Sequence, residues 1–127
     1  MSDNSVRNTD IKTVRKLVTT AGTSIGAPAV PAGMKRWVTF IRATNEFGAF
    51  QNLYVCSCTS AVYATTMAKA SATAKVNLIL GALGHQNLPE AGPTDYSYPL
   101  FSIAEDKYIN AYPTKGNASL FIQYYDE

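Results

Sequence analysis

Short runs of alternating apolar and polar residues follow one another along most of the chain. Met34 to Thr44 is one such run, and Gln51 to Ser60 is another, with a Gly-containing turn at residues 45–50 between them. A period of two places successive side chains on opposite faces of a strand. The two runs therefore predict two strands joined as a β-hairpin.

Turn-forming residues recur about every ten positions and separate further runs of this kind. Ile11 to Thr20 is rich in Val, Ile and Thr, which favours a strand over a helix. Residues 81–99 hold three Gly and three Pro and predict a long loop. Further strands are predicted at residues 61–67, 72–80 and 118–127, and on both sides of a turn at Glu105 and Asp106.

These elements predict an all-β fold. About eight short strands without a convincing helix indicate a single antiparallel β-sandwich, jelly-roll-like in its topology. The length of 127 residues fits one domain. We expect the sandwich to span residues 10–127 and the polar residues 1–9 to form a loose, flexible amino-terminal arm.

The long strand at residues 34–44 carries bases and aromatic residues together, as in sheets that bind single-stranded nucleic acid. Strict alternation divides them between two faces, which argues against one binding platform. Arg36 and Arg42 fall near the ends of one face, where their side chains are expected to reach water. One face carries Lys35, Trp37, Thr39, Ile41 and Ala43, and the other carries Met34, Arg36, Val38, Phe40 and Arg42.

Charge is sparse and unevenly distributed. Only 16% of residues are charged, against about 25% in an average soluble domain, and the net charge is +2. Residues 1–42 carry seven Lys or Arg against two Asp, whereas residues 43–127 carry four against seven Asp or Glu. This asymmetry allows attraction between copies or docking of the basic part on an acidic partner, unless both charge sets are simply solvated.

No membrane or secretion signal is recognisable in the sequence. The polar amino terminus lacks the apolar segment of a secretory signal, and no apolar run approaches the ~18 residues of a membrane span. We therefore expect synthesis in the cytoplasm and no membrane partner.

The sequence contains no recognisable catalytic or metal-binding motif. Cys56 and Cys58 are the only cysteines and share one strand face, so we interpret them as buried apolar residues. A zinc site needs about four ligands, and His85 is the only His, so such a site would need carboxylates or a second subunit. Glu105 and Asp106 are adjacent and would diverge rather than act as an acid–base pair. We expect neither enzymatic activity nor a cofactor.

The predicted loop at residues 81–99 offers a second kind of binding site. Sugars stack on exposed aromatic rings beside carboxylates and amides, and Asn87, Asp95, Tyr96 and Tyr98 supply these groups. A carbohydrate-binding module is therefore one alternative. The other interpretation is that these tyrosines pack the loop down or contact another copy of the chain.

Two segments resemble the small β-sandwich structural proteins of tailed phages, most closely their head decoration, or cement, proteins. "VPAGMKRWVTFIRATN" followed by "FQNLYVCS" resembles their opening hairpin, and "PLFSIAEDKYINAY" followed by "NASLFIQYYDE" resembles their ending. The family usually has Gly at the turn where this chain has Glu105 and Asp106, and the loop at residues 81–99 has no counterpart. These departures leave a tail or fibre-associated component as the alternative within the class.

The resemblance implies a non-enzymatic virion protein on the capsid surface, which binds the assembled head and bridges capsid subunits. Its expected partners are the major capsid protein and copies of itself, as a homotrimer or a dimer, and nucleic acid is not expected. The candidate capsid contacts are Arg7, Lys12, Arg15 and Lys16. The candidate contacts between copies are Tyr96, Tyr98, Tyr112, Tyr124 and Tyr125.

Overall fold

Eight β-strands and no helix make up the part of the chain that the computed structural model describes, which is residues 11–20, 25–59, 73–89 and 99–127. The predicted arm at residues 1–9 and the predicted strand at residues 61–67 lie outside these ranges. The strands are β1 (Lys12–Val18), β2 (Arg36–Asn45), β3 (Gln51–Cys58), β4 (Thr73–Leu80), β5 (His85–Leu88), β6 (Phe101–Ile103), β7 (Tyr108–Pro113) and β8 (Ala118–Asp126).

The strands form two antiparallel sheets, which confirms the predicted all-β sandwich. The larger sheet has the order β1-β8-β2-β5, and β6 also pairs with β2. The smaller sheet has the order β4-β3-β7. Whether the topology is that of a jelly roll stays a prediction.

The hydrophobic core lies between the two sheets. Both β2 and β8 in the larger sheet, and β3, β4 and β7 in the smaller sheet, contribute alternate side chains to it. Each fully buried Val, Leu or Ile stabilises the fold by about 1.5–3 kcal/mol relative to an exposed position. Fully buried members include Val38, Ile41, Leu53, Val55, Leu78, Ile109 and Ile122.

The predicted hairpin between β2 and β3 is wrong. β2 belongs to the larger sheet, where β8 pairs along one edge and β5 and β6 pair along the other. β3 belongs to the smaller sheet, between β4 and β7. Residues 46–50 therefore carry the chain from one sheet to the other, because both edges of β2 are already occupied.

The predicted loop at residues 81–99 contains a strand. β5 pairs through His85–Leu88 with residues 41–44 of β2. Its sequence, HQNL, contains none of the Val, Ile, Thr, Tyr, Phe and Trp residues that favour strands, so pairing with β2 outweighs a weak local preference. The strands predicted around residues 11–20, 34–44, 72–80, 100–112 and 118–127 are confirmed.

A β-bulge in β2 changes which side chains share a face. The register with β8 shifts between Val38 and Phe40, so Thr39 is the extra residue, and its hydroxyl donates to the carbonyl oxygen of Gln123 at 3.2 Å. Val38 before the bulge and Ile41 after it both lie in the core. The predicted division into two faces is therefore wrong, because alternation restarts at the bulge.

The bulge brings the aromatic and basic residues of β2 together. Trp37 precedes the inward-facing Val38 and so lies on the solvent side of the larger sheet, as do Phe40 and Arg42 beyond the bulge. One face of the larger sheet, called here the outer face, thus carries the residues that strict alternation would have separated.

The predicted exposure of Arg36 is also wrong, since this residue is 0% exposed. Its Nε and Nη2 atoms donate to both carboxylate oxygens of Asp126, at 2.8 and 3.0 Å, and Nη1 donates to the carbonyl oxygen of Pro28 at 2.7 Å. The guanidinium also lies 4.2 Å from the ring centre of Tyr124. A carboxylate partner together with a further hydrogen bond offsets the cost of burying the charge.

The other end of β2 is fixed by a buried amide pair. Gln51 Nε2 donates to Asn45 Oδ1 at 2.7 Å, and Asn45 Nδ2 donates to the carbonyl oxygens of Ala49 and Gly81. Gln51 Oε1 accepts the backbone N–H groups of residues 115 and 116. Three loops at this end of the sandwich are therefore tied to one network.

Candidate functional site: a basic groove on the larger sheet

The outer face of the larger sheet is built from rows of residues that lie directly opposite one another on β1, β8 and β2. Phe121 of β8 lies between Arg15 of β1 and Arg42 of β2. Ser119 lies in the same way between Leu17 and Thr44. Directly opposed side chains on one face of a sheet are within contact distance, so the first row places two arginines on either side of one aromatic ring.

Phe121 forms the centre of this arrangement. The guanidinium carbon of Arg15 lies 4.9 Å from the centre of its ring, within the range of a cation–π contact. The ring of Phe40 meets it edge-on, at a centroid distance of 6.0 Å and an interplanar angle of 66°. The guanidinium of Arg15 is therefore held over the Phe121 ring by packing rather than by an acidic neighbour.

An open groove of about 750 Å³ runs over these rows. Its lining includes three bases and no carboxylate, and Arg15, Lys16 and Arg42 are all exposed. The nearby Glu46 accepts a hydrogen bond from Ser119 Oγ at 2.9 Å. The basic groove is lined by Arg15, Lys16 and Leu17 from β1, Phe40, Arg42 and Thr44 from β2, and Ser119, Leu120 and Phe121 from β8.

Two arginines of the basic groove are available to a partner. Within the described part of the chain, neither Arg15 nor Arg42 forms an ion pair with a carboxylate. Leu17 beside them is 48% exposed. The groove therefore combines positive charge with exposed apolar surface, which suits an acidic protein surface better than a small buried substrate.

Two of the predicted capsid contacts, Arg15 and Lys16, lie together in the basic groove. Lys12 is exposed on the same strand but does not line the groove. Arg7 lies outside the described residues. The sequence predicted only that Arg42 reaches water near a strand end. Arg42 lines the same groove as Arg15, because β8 lies between β1 and β2.

The predicted contacts between copies are only partly at the surface. Tyr124 is 2% exposed and Tyr125 is 3% exposed, so both side chains are packed within the chain. Burial and the neighbouring Asp126 raise the pKa of Tyr124, although Arg36 acts in the opposite direction, with burial the largest cause. Tyr112 is partly buried on β7, and Tyr96 and Tyr98 lie outside the described residues. Contacts between copies stay a prediction for Tyr96, Tyr98 and Tyr112.

The predicted sugar site is not assembled in the described part of the chain. Asn87 lies on β5 directly opposite Arg42, whereas Asp95, Tyr96 and Tyr98 lie outside the described residues. The Oδ1 atom of Asn87 and the Oε1 atom of Gln123 are buried without a hydrogen-bond partner. An unpaired buried acceptor costs about 1–3 kcal/mol, so this part of the outer face has unfilled hydrogen-bonding capacity.

Cys56 and Cys58 are not joined in a disulfide and each is 1% exposed, which confirms their predicted burial. They pack with Tyr54 and Tyr112, apart from the main core. Burial, with a smaller effect of Cys56, raises the pKa of Cys58 to about 12, so its thiol is protonated near neutral pH and is a poor nucleophile. Among the described residues, no three His, Cys, Asp or Glu side chains gather as metal ligands.

Sequence reasoning missed Phe121, Ser119 and Thr44 as parts of the site. Ser119 and Phe121 alternate along β8 with the core residues Ala118, Leu120 and Ile122. That alternation was available in the sequence and places both on the outer face. Their partners on β1 and β2 were not available, because strand order cannot be derived from local pattern.

No protein-family model, no curated protein and no solved structure matches the chain. No helix long and apolar enough to cross a membrane occurs in the described ranges. The function is therefore inferred from the chain's own sequence and geometry.

Proposed function

We propose that the chain is a non-enzymatic attachment protein that docks through its basic groove on an acidic surface of a larger protein assembly. The observation that carries this proposal is the open groove with the exposed arginines Arg15 and Arg42 and without a carboxylate in its lining. Opposite charge on a partner would steer the encounter and fix its orientation. An open, solvent-facing groove offers a contact surface rather than an enclosed reaction chamber.

The assembly we propose is the head of a tailed phage, with the chain as a decoration protein on the capsid surface. Two segments of the sequence resemble such proteins, and two of the predicted capsid contacts line the basic groove. A protein that binds the assembled shell but not its separated subunits stabilises the shell by mass action. A tail component would use the same groove on a different particle.

The strength of the individual contacts favours attachment by several copies. Exposed ion pairs contribute about 0.2–1 kcal/mol each, so three bases supply at most about 3 kcal/mol. Millimolar affinity already requires about 4.1 kcal/mol. Apolar contact at the exposed Leu17 would add to this, and an oligomer would add avidity without any new contact.

Co-sedimentation with assembled heads tests the proposal. The full chain should pellet with assembled heads but not with unassembled capsid protein, and attachment should weaken as salt is added. The double variant Arg15→Glu/Arg42→Glu should lose about tenfold or more of its attachment, because like charges would then meet at the contact. Lys75→Glu is the matched control, since Lys75 is an exposed base on the smaller sheet.

The control should attach as well as the unchanged chain. Full attachment of the double variant, or an equal loss in Lys75→Glu, would show that the basic groove is not the contact. No attachment of the unchanged chain to any head would overturn the decoration role. Deletion of residues 1–9 separately tests the predicted arm and should weaken attachment without unfolding the sandwich.

Single-stranded nucleic acid is a second candidate, favoured by the position of Trp37, Phe40 and Arg42 on one face. Stacking requires exposed ring faces. Phe40 is only 5% exposed, and Arg15 already covers Phe121. These contacts favour the protein partner. A salt-sensitive mobility shift with single-stranded DNA, lost in Arg15→Glu/Arg42→Glu, would favour the nucleic acid instead.

A further inference from the structure

The basic groove ends at an edge of the larger sheet, and that edge is β1. In the order β1-β8-β2-β5, β1 pairs with β8 on one side, and no described strand pairs with its other side. Its residues 12–18 run in unbroken register against residues 118–124 of β8. The second edge of β1 therefore presents a regular row of backbone groups in the described structure.

β1 lacks three of the features that usually prevent another strand from adding to an edge, namely short length, a bulge and a proline. It does carry exposed bases, and charges on an edge strand oppose the addition of a strand of like charge. β1 has seven residues, its register with β8 does not shift, and its sequence KTVRKLV contains no proline. It is therefore a template for a further strand, as in complexes formed by strand addition.

The charges of β1 select the kind of strand that can add. Lys12, Arg15 and Lys16 are all exposed. Arg15 lies on the outer face with Leu17. Lys16 borders the groove from the edge strand, but alternation places its side chain and that of Lys12 on the opposite face of β1, with Val14 and Val18. Pairing of β1 with the β1 strand of a second copy would bring bases against bases, and like charges at opposed positions destabilise a sheet. An acidic strand meets no such repulsion.

We propose that β1 accepts an extended, Asp- or Glu-bearing segment of a protein partner as an added strand of the larger sheet. This inference rests on the proposed attachment function and specifies how the partner is held. Backbone hydrogen bonds to β1 would supply affinity, and carboxylates on the two faces of the added strand would meet Arg15 on one side and Lys12 and Lys16 on the other. Recognition by strand addition thus requires an extended acidic segment and not a folded acidic surface of a particular shape.

Binding of synthetic peptides to the full chain tests strand addition. The probe is a capped peptide of sequence EVTEEVTE, which carries glutamates on both faces of a strand. It should bind at low salt and slow the hydrogen exchange of amides in β1. A peptide with the same side chains and alternate backbone nitrogens methylated cannot complete the added ladder, and it should bind about tenfold more weakly or worse.

Two further controls test the charge selection. The peptide KVTKKVTK should bind at least about tenfold more weakly, and the variant Lys12→Glu/Lys16→Glu should reverse this preference while keeping its fold, because both side chains are exposed. Equal binding of the methylated peptide would show side-chain attraction without strand addition and would overturn the inference. Displacement of EVTEEVTE by single-stranded DNA at lower concentration would identify nucleic acid as the preferred ligand and would also overturn it.

The peptide experiment can fail or succeed independently of the co-sedimentation experiment that tests the attachment function. Heads bound through the basic groove, with no protection of β1 amides by any peptide, would leave the attachment and remove strand addition. Protection of β1 by EVTEEVTE without attachment to heads would leave the acceptor strand and remove the decoration role.

Discussion

Arg36 and Arg42 lie on the same strand and have opposite environments. Arg36 faces the sandwich interior, is 0% exposed, and has the carboxylate of Asp126, the carbonyl oxygen of Pro28 and the ring of Tyr124 around it. Arg42 faces the basic groove, is exposed, and has no ion pair with the described residues. The first guanidinium has its partners within the chain, whereas the second is available to a partner outside it.

The difference arises from the bulge at Thr39. Without an extra residue, Arg36 and Arg42 would share a face, since an even number of positions separates them. The bulge turns the second half of β2 over, so that Ile41 replaces Phe40 in the core. A single inserted residue thus divides one strand into a buried anchor and an exposed contact surface.

Replacement of Asp126 tests the buried environment of Arg36 and should have the largest effect. Asp126→Asn keeps the shape of the side chain but leaves the buried Arg36 guanidinium without a counter-charge, and we expect a loss of about 3–5 kcal/mol in the free energy of unfolding. Denaturant unfolding measures it. Arg42→Gln is the control and should change stability by less than about 0.5 kcal/mol. A loss below about 1 kcal/mol in Asp126→Asn would contradict the anchoring role.

The other end of β2 should show a smaller but definite effect. Asn45→Ala leaves the N–H of Phe47 and the side-chain amide of Gln51 without their acceptor, in a buried site. We expect a loss of about 2–3 kcal/mol in the same unfolding measurement. Thr44→Val is the matched control, because Thr44 is next in sequence but lines the groove, and it should remain within about 0.5 kcal/mol. Equal losses in both variants would remove the distinction between the two faces.

Raising the pH tests a buried group on the smaller sheet, the thiol of Cys58 on β3. The pKa of Cys58 rises from 9.0 to about 12 in the folded chain, so folding favours the neutral thiol. The raised pKa adds to the free energy of unfolding, and this added stability is fully present below about pH 9 and is lost as the pH rises towards about 12. At about pH 9.5 the expected loss is below about 1 kcal/mol.

Unfolding curves recorded along a pH series measure this effect. Cys58→Ala is the control, since it removes the thiol and should flatten the decline of stability in the alkaline range. A decline of the same steepness in the variant would assign the alkaline loss to other groups, among them Tyr124, whose pKa is also raised.

The strands could be predicted from sequence because their signals are local. Alternation and β-branched residues located β1, β2, β4 and β8, and the turn at Glu105 and Asp106 separates β6 from β7, with Asp106 at a φ of 64°. The pairing of strands was not local. A short turn between β2 and β3 fits a hairpin within one sheet or a crossing between two sheets, and only the occupied edges of β2 decide it.

The basic groove could not be predicted from the sequence, because it too depends on the pairing of strands. Arg15 and Phe121 are distant in sequence and adjacent in space, because β8 inserts between β1 and β2. Thr39 carries no signal of the bulge, such as a glycine, so alternation assigned Phe40 and Ile41 to the wrong faces. The sequence did identify the excess of bases before residue 43, from which the groove draws its three charges.

Arginine modification with phenylglyoxal, read out by mass spectrometry before and after attachment to assembled heads, tests the central claim most directly. In the free chain, Arg15 and Arg42 should react and Arg36 should not, because only the first two are exposed. On attachment, Arg15 and Arg42 should both become protected. Continued reaction of Arg42 in the attached chain, or reaction of Arg36 in the folded free chain, would contradict the division of β2 into anchor and contact surface.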